Sequence, residues 1–271
     1  MTQTVNNPFF QSYNTPFVTP PFNEIKTEHY EPAFDKGIIQ LEKEIQEIAE
    51  NKQPATFENT IVALERSGKL LEKVSSAFFN VLNAEADDEM MDISQRVSPK
   101  LSESSNNIFL NEKLFARVKD VYEQKEQLNL STEDAKLLEE TFESFSIRGA
   151  NLSPEDKEKY RKLSTDLSVL TLTFDQNALK DKNRYELLLT EEKDLAGLPE
   201  SIREAATYRA KEKGKEGWLF NLSAPSYIPF MRYSALRPLR EAMYREYMSV
   251  GNKGDEYDNK EIIRRIVNIR L

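Results

Sequence analysis

The side chains that could do chemistry are unevenly stocked. The chain has one histidine, His29, and no cysteine. Zinc held for hydrolysis needs two imidazoles one helical turn apart, so that both face the ion. A single His cannot supply that. The lack of Cys removes thiolate nucleophiles, disulfides and Cys-ligated zinc, although it fixes no redox compartment. Serines are plentiful, and a Ser–His–Asp arrangement around His29 is formally open, but no G-x-S-x-G turn accompanies it. His29 lies in Thr27-Glu28-His29-Tyr30-Glu31 beside an expected helix start and reads as structural.

The acidic cluster Glu85, Asp87, Asp88, Glu89 and Asp92 lacks the alternating D-x-D-x-D-G spacing of a calcium loop. It reads as acids entering a helix N-terminus. Arg209, Lys211, Lys213 and Lys215 fall at an expected helix C-terminus, where a solvated basic face offsets the dipole. Gly214-Lys215-Glu216-Gly217 and Gly251-Asn252-Lys253-Gly254 lack phosphate-loop spacing and read as turns. The tract Tyr227 to Tyr233, with Arg237, Arg240 and Arg245 after it, has two readings: an aromatic binding surface, or a core corner whose arginines pair with Glu241 and Glu246. No residue is assigned a catalytic or metal-ligating role, and substrate contacts stay unassigned.

These side chains would ride mainly on helices. Residues 1–23 form a Pro/Phe-rich segment, with Pro8, Pro16, Pro20 and Pro21 beside Phe9, Phe10, Phe17 and Phe22. Pro density excludes regular helix, and the aromatics suggest an extended arm packed on the body. Residues 24–182 form a long-helix domain. Phe34, Ile38, Leu41, Ile45 and Ile48 repeat at helical spacing, with Pro32 in the first turn. Phe57 to Leu82 continues that alternation, with Gly68 and Ser75 on the buried stripe as close-packing residues. A helix from Asp87 should kink or end at Pro99, and another spans Asn111 to Leu128. Ser131 with Asp134, and Ser153-Pro154, are helix starts. The second of these helices would bury Tyr160, Leu163, Leu167, Leu170 and Phe174.

Residues 183–271 form a mixed α/β segment. Arg184–Leu189 and Trp218–Leu222 could pair as strands around a helix that stops at Gly214. Helices over Leu236–Val250 and from Asp258-Asn259 follow, and the apolar pattern still runs at Ile269 and Leu271 with no stop signal, like a chain cut mid-helix. Some of Ile262, Ile263, Ile266 and Ile269 should then be exposed.

Composition agrees with a mainly α, multi-helix antiparallel array carrying a small β-hairpin-like element. Gly is only 8 of 271 residues, where about 7% is usual. A net charge of −9 opposes binding to phosphate backbones, so no nucleic-acid partner is expected. No apolar run has a membrane-spanning length of about 18 residues and no leader pattern opens the chain, so no membrane contact and a cytoplasmic location are expected.

Several segments in order resemble one family. Asn14-Thr15-Pro16-Phe17 to Pro21-Phe22-Asn23-Glu24-Ile25 and Glu28-His29-Tyr30-Glu31-Pro32-Ala33-Phe34 are similar to the opening of bacterial peptidyl-dipeptidases and oligopeptidase A, in the thimet oligopeptidase and neurolysin family. Thr56-Phe57-Glu58-Asn59-Thr60-Ile61, Phe174-Asp175-Gln176-Asn177, Tyr227 to Pro229, Leu239-Arg240-Glu241 and Asp258-Asn259 extend the resemblance. It implies part of a two-lobed helical zinc peptidase with a narrow channel for short peptides. In that family zinc is expected in the whole protein, bound by an H-E-x-x-H motif beyond this segment, and a C-terminal catalytic lobe is the missing partner. This segment would supply channel wall and size selection, without catalytic residues or cofactor. The competing reading is a stand-alone helical scaffold or interaction protein.

Overall fold

The computed structural model describes residues 7–85 and 87–271. The first six residues of the arm and the Glu85 side chain lie outside the described residues. The chain is mainly α and divides into two compact units, one ending at Val169 and the other beginning at Leu170, within one long helix.

In the first unit, α1 (Tyr30–Ala49) packs against α3 (Lys69–Glu85) and α4 (Asp88–Phe109). Gly37 permits the first contact, because a Cβ there would stand 3.0 Å from the Leu71 Cα. Phe9, Tyr30, Phe34 and Phe78 interlock as tilted and edge-on rings in the core beneath. Of the four phenylalanines of the arm Phe9 alone is buried, while Lys36 lies over the Phe10 ring. Phe9 is 1% exposed, whereas Phe17 is 98% exposed. The arm is also not wholly extended, since Pro8–Phe10 and Pro16–Val18 form single 3-10 turns in which a prolyl residue supplies the first position. Lys73 donates to the Phe9 and Gln11 carbonyls at 3.1 and 2.7 Å and lies over the Tyr13 ring. Burial, with Tyr30 nearby, pushes the Tyr13 hydroxyl up to about 12.

The expected continuous helix over Phe57–Leu82 is broken. A π-turn at Phe57–Val62 leads into the short α2 (Ala63–Glu65), and Gly68 then turns left-handed at φ 73°. Gly68 is therefore a break, fastened by its amide to the Glu44 carboxylate at 2.8 Å, and it packs closely as well, since a Cβ there would stand 3.1 Å from Leu41 Cδ1; Gly37 is a second close-packing glycine. Pro99 does not end α4, which continues to Phe109. One missing N–H removes a single ladder bond, and buried side chains on both sides, Val97 and Asn106 among them, hold the helix together.

α5 (Glu112–Glu123) starts at Asn111, whose side chain accepts from the Leu114 amide at 3.0 Å, and it stops five residues short of Leu128 at a 3-10 turn. α6 (Thr132–Ile147) and α7 (Pro154–Asn183) begin at Ser131 and Ser153, whose hydroxyls accept from the Asp134 and Asp156 amides at 3.1 and 3.2 Å. Of the α7 residues expected inside, only Leu170 is buried, and Leu163 is 42% exposed. The apolar residues of α7 lie around more than one face, so one neighbour cannot cover them.

In the second unit, β1 (Leu187–Leu189) pairs antiparallel with β2 (Trp218–Phe220), in the register Leu187 to Phe220. The two strands are joined through α8 (Glu200–Glu212), which is followed by Gly214 at φ 65°. Gly217 is required by contact as well as by its φ of 110°, because a Cβ would strike the Leu189 carbonyl oxygen. α9 (Ala224–Tyr233) and α10 (Arg237–Met248) close a core of Leu189, Leu195, Ala206, Phe220, Leu222, Phe230 and Met243. α11 (Lys260–Arg270) has no fully buried residue; Ile263 is exposed, while Ile262, Ile266 and Ile269 are half-buried. Among the described residues no helix is long and apolar enough to cross a membrane.

Candidate functional site

His29 is 6% exposed in a 3-10 turn that runs into α1. Its Nδ1 accepts from the Lys26 amide at 3.0 Å, and its backbone carbonyl accepts from Asn7 Nδ2 at 2.7 Å. With Nδ1 spent on the Lys26 amide and its carbonyl on Asn7, His29 joins the arm to α1. Asp87 caps α4 by accepting from the Met90 amide at 2.7 Å, with Asp88 and Glu89 in the first turn. Among the described residues no group of His, Cys, Asp or Glu side chains could hold a metal ion.

Two buried charges that sequence reasoning passed over organise the polar interior. Arg117 on α5 is 8% exposed. Its guanidinium donates to the Asn51 and Gln53 carbonyls at 2.9 Å each, to Asn59 Oδ1 at 2.9 Å and to Thr60 Oγ1 at 3.3 Å. Asn59 and Thr56 cap the π-turn reciprocally, side chain to amide, at 2.9 and 3.1 Å. The Thr56-Phe57-Glu58-Asn59-Thr60 segment is thus a folded receptor for one arginine. Its signal was local: an Asn three residues after a Thr at a helix start.

Asp181, near the end of α7, is fully buried. Oδ2 accepts from the Gly251 amide at 2.7 Å, and Oδ1 accepts from Lys253 Nζ at 3.1 Å and Arg184 Nε at 2.7 Å. Burial alone would raise its carboxyl, but the Gly251 amide, the Lys253 ammonium and the Arg184 guanidinium hold it below the ordinary aspartate value. Lys253 also meets Glu246 at 2.8 Å, and Arg184 meets Asp255. Asn259, 2% exposed, completes the knot. It accepts from Asn177 Nδ2 and donates to the Phe174 carbonyl, both at 3.0 Å, while its amide donates to the Gly251 carbonyl at 2.7 Å. Both knots turn their charged groups onto the chain's own turns, with Arg117 Nε alone of that guanidinium's nitrogens left without a partner, which suits them to holding loops.

The basic run is less solvated than its sequence suggests. Lys213 and Lys215 pair with Glu186, the former at 3.1 Å, and Arg209 donates to the Leu219 carbonyl at 2.8 Å. These cations brace the strand pair. The Tyr227–Tyr233 tract is partly a core corner, since Phe230 is buried edge-on against Phe220 with centroids 4.7 Å apart. Of the expected arginine pairs, Arg245 with Glu241 forms at 2.7 Å, whereas Glu246 takes Lys253 instead because the Gly251–Gly254 turn carries that lysine to it. The other side of the tract is exposed: Tyr227 stacks on Tyr247 at 4.2 Å beside exposed Ile228, Tyr244 and Met248.

No protein-family model matches the chain. The dipeptidyl carboxypeptidase of Escherichia coli strain K12 is 37% identical over 98% of this chain and 39% of its own length. That of Salmonella typhimurium strain LT2 is 35% identical over 97% and 39%, and the oligopeptidase A of Escherichia coli strain K12 is 30% identical over 94% and 38%. The chain thus spans about two fifths of the length of the curated relatives it matches. With likeness at this level along nearly its whole length, the chain belongs to the thimet oligopeptidase family, beside the dipeptidyl carboxypeptidases and oligopeptidases A.

Proposed function

We propose that this chain is the non-catalytic N-terminal region of a zinc-dependent oligopeptidase of peptidyl-dipeptidase type, which hydrolyses short peptides in a narrow channel. The region's part is steric: it supplies channel wall, selects for narrow unstructured substrates and excludes water from the reaction. Its partners are those peptides and a C-terminal catalytic lobe, in a cytoplasmic protein. The observation that carries the reading is 37% identity to a dipeptidyl carboxypeptidase over 98% of the chain, in a chain whose single His is already committed to the Lys26 amide. Zinc, when bound in the whole protein, would polarise the attacking water. No residue of this chain holds that ion, and none is given a step in the reaction.

The test compares the 271-residue chain with a protein extended through its downstream reading frame. The extended protein should contain an H-E-x-x-H helix and release dipeptides from the C-termini of short peptides, losing activity to a chelator. The chain alone should be inert. A reading frame that stops directly after Leu271 would instead support the stand-alone helical interaction protein.

A further inference from the structure

We propose that the outer face of α11 is a seam, covered by a helix from the part of the longer protein that follows Leu271. The assignment rests on the reading above that the protein continues into a C-terminal lobe. Among the described residues every other helix of eight or more residues has at least one buried residue, and α11 has none. Its apolar residues form two stripes. Ile262, Ile266 and Ile269 repeat at steps of four and three and are half-buried. Ile263, Val267 and Leu271 repeat at steps of four on the adjoining side and are 46, 48 and 99% exposed. At about 100° per residue the two stripes together wrap about 200° of the helix, roughly twice what one contact requires. Lys260 in the first turn and Arg270 in the last interrupt them only at the ends, and exposed Glu261, Arg264, Arg265 and Asn268 fill the remaining side. The helix is not loosely set. Asn259, buried directly before it, is held by the Phe174 carbonyl, by Asn177 and by the Gly251 carbonyl.

Area and length select the occupant. From Ile263 to Leu271 the stripe is about 12 Å long, at about 1.5 Å per residue. A second copy meeting three side chains over that length would bury far less than the roughly 800 Å² per partner of a stable complex. It would also lose translational and rotational freedom on docking. A segment joined to α11 by the chain itself escapes most of that loss. The curated relatives are long enough to supply one, since this chain spans only about two fifths of their length. Residues that prolonged α11 would share its axis, so the cover is an element that returns alongside. Side chains four residues apart form a ridge, and such a ridge fits the groove of a second helix. The occupant is therefore an apolar helix of the C-terminal lobe, laid across Ile263, Val267 and Leu271.

The chain's lack of cysteine gives a clean probe. Val267→Cys and Asn268→Cys are made in the 271-residue chain and in the protein extended through its downstream reading frame. Alkylation at each position is followed by mass spectrometry of the peptide that carries it, and circular dichroism verifies that the variants fold. In the 271-residue chain both should react at similar rates. In the extended protein Val267→Cys should react at least about tenfold more slowly, because reaction then awaits local opening, while Asn268→Cys keeps its rate. Val267→Lys should lower the melting temperature of the extended protein and leave that of the 271-residue chain unchanged. Equal Val267→Cys rates in the two proteins, or equal slowing at both positions, overturns the seam. So does protection in the 271-residue chain that grows with its concentration, which makes a second copy the occupant. If the extended protein cleaves peptides while Val267→Cys stays reactive, the seam alone falls; if it is no peptidase and Val267→Cys is protected, the peptidase reading alone falls. A reading frame that ends at Leu271 removes both.

Discussion

Two of the buried charges, one in each unit, solve one problem in opposite ways. Arg117 in the first unit is a cation with no carboxylate among its partners; carbonyls of the Asn51–Gln53 turn and the Asn59 and Thr60 side chains solvate it. Asp181 in the second unit is an anion met by two cations and a backbone amide. The first site replaces water by dipoles that the fold already holds in place. The second replaces it by opposite charge, and that charge comes from the turn it must hold. The difference predicts a pH-insensitive knot in the first unit and a pH-sensitive one in the second.

The largest effect should come from Asp181→Ala, which leaves Arg184 and Lys253 without their shared anion. Removing one partner of a buried ion pair costs about 3–5 kcal/mol, read as a lowered urea midpoint for the second unit. The loss should depend on pH with a defined sign. The folded carboxyl titrates below the ordinary aspartate value of about 3.9. Its contribution is therefore complete above that value and disappears as pH falls through the lower folded value. Wild type and variant should converge in acid and stay apart at neutral pH; a constant gap would break the contrast.

Arg117→Met should cost somewhat less, about 2–3 kcal/mol, because it strands carbonyls rather than charges. The loss should stay the same from pH 3 to pH 8 and fall on the first unit. Gly37→Ala should be the smallest of the three. Overpacking against the Leu71 backbone costs about 1–3 kcal/mol, and the better helix propensity of Ala returns up to about 1 kcal/mol. The same substitution at Gly214, where a Cβ would meet nothing, isolates the cost of a left-handed φ from that of contact.

The elements were legible wherever the signal was local. Ser131, Ser153 and Gly214 mark their helix ends by their own chemistry, and the strand pair followed from short apolar runs on either side of α8. Periodicity misled where backbone decided. It carried a helix through Gly68, whose left-handed φ no apolar spacing reveals, and offered a kink or an end at Pro99, where the helix does not end because flanking burial outweighs one lost bond. It also assigned α7 a single buried stripe, although its apolar residues surround it. The knots were mostly invisible for a further reason: Arg117 lies 57 or more residues from its partners and Asp181 meets its Gly251 partner 70 residues on, so that of these contacts only the Asp181–Arg184 pair, three residues apart, has a helical spacing. The resemblance marked Asn59 and Asn259 without their roles, and the structure assigns both to holding turns.

The central claim is that this polypeptide contributes shape to a peptidase and none of its chemistry. Zinc binding by the purified 271-residue chain, with peptide hydrolysis followed in the same sample, tests it most directly. The account predicts no stoichiometric zinc and no cleavage above buffer at any zinc concentration; one tightly held ion per chain together with sustained hydrolysis would contradict it.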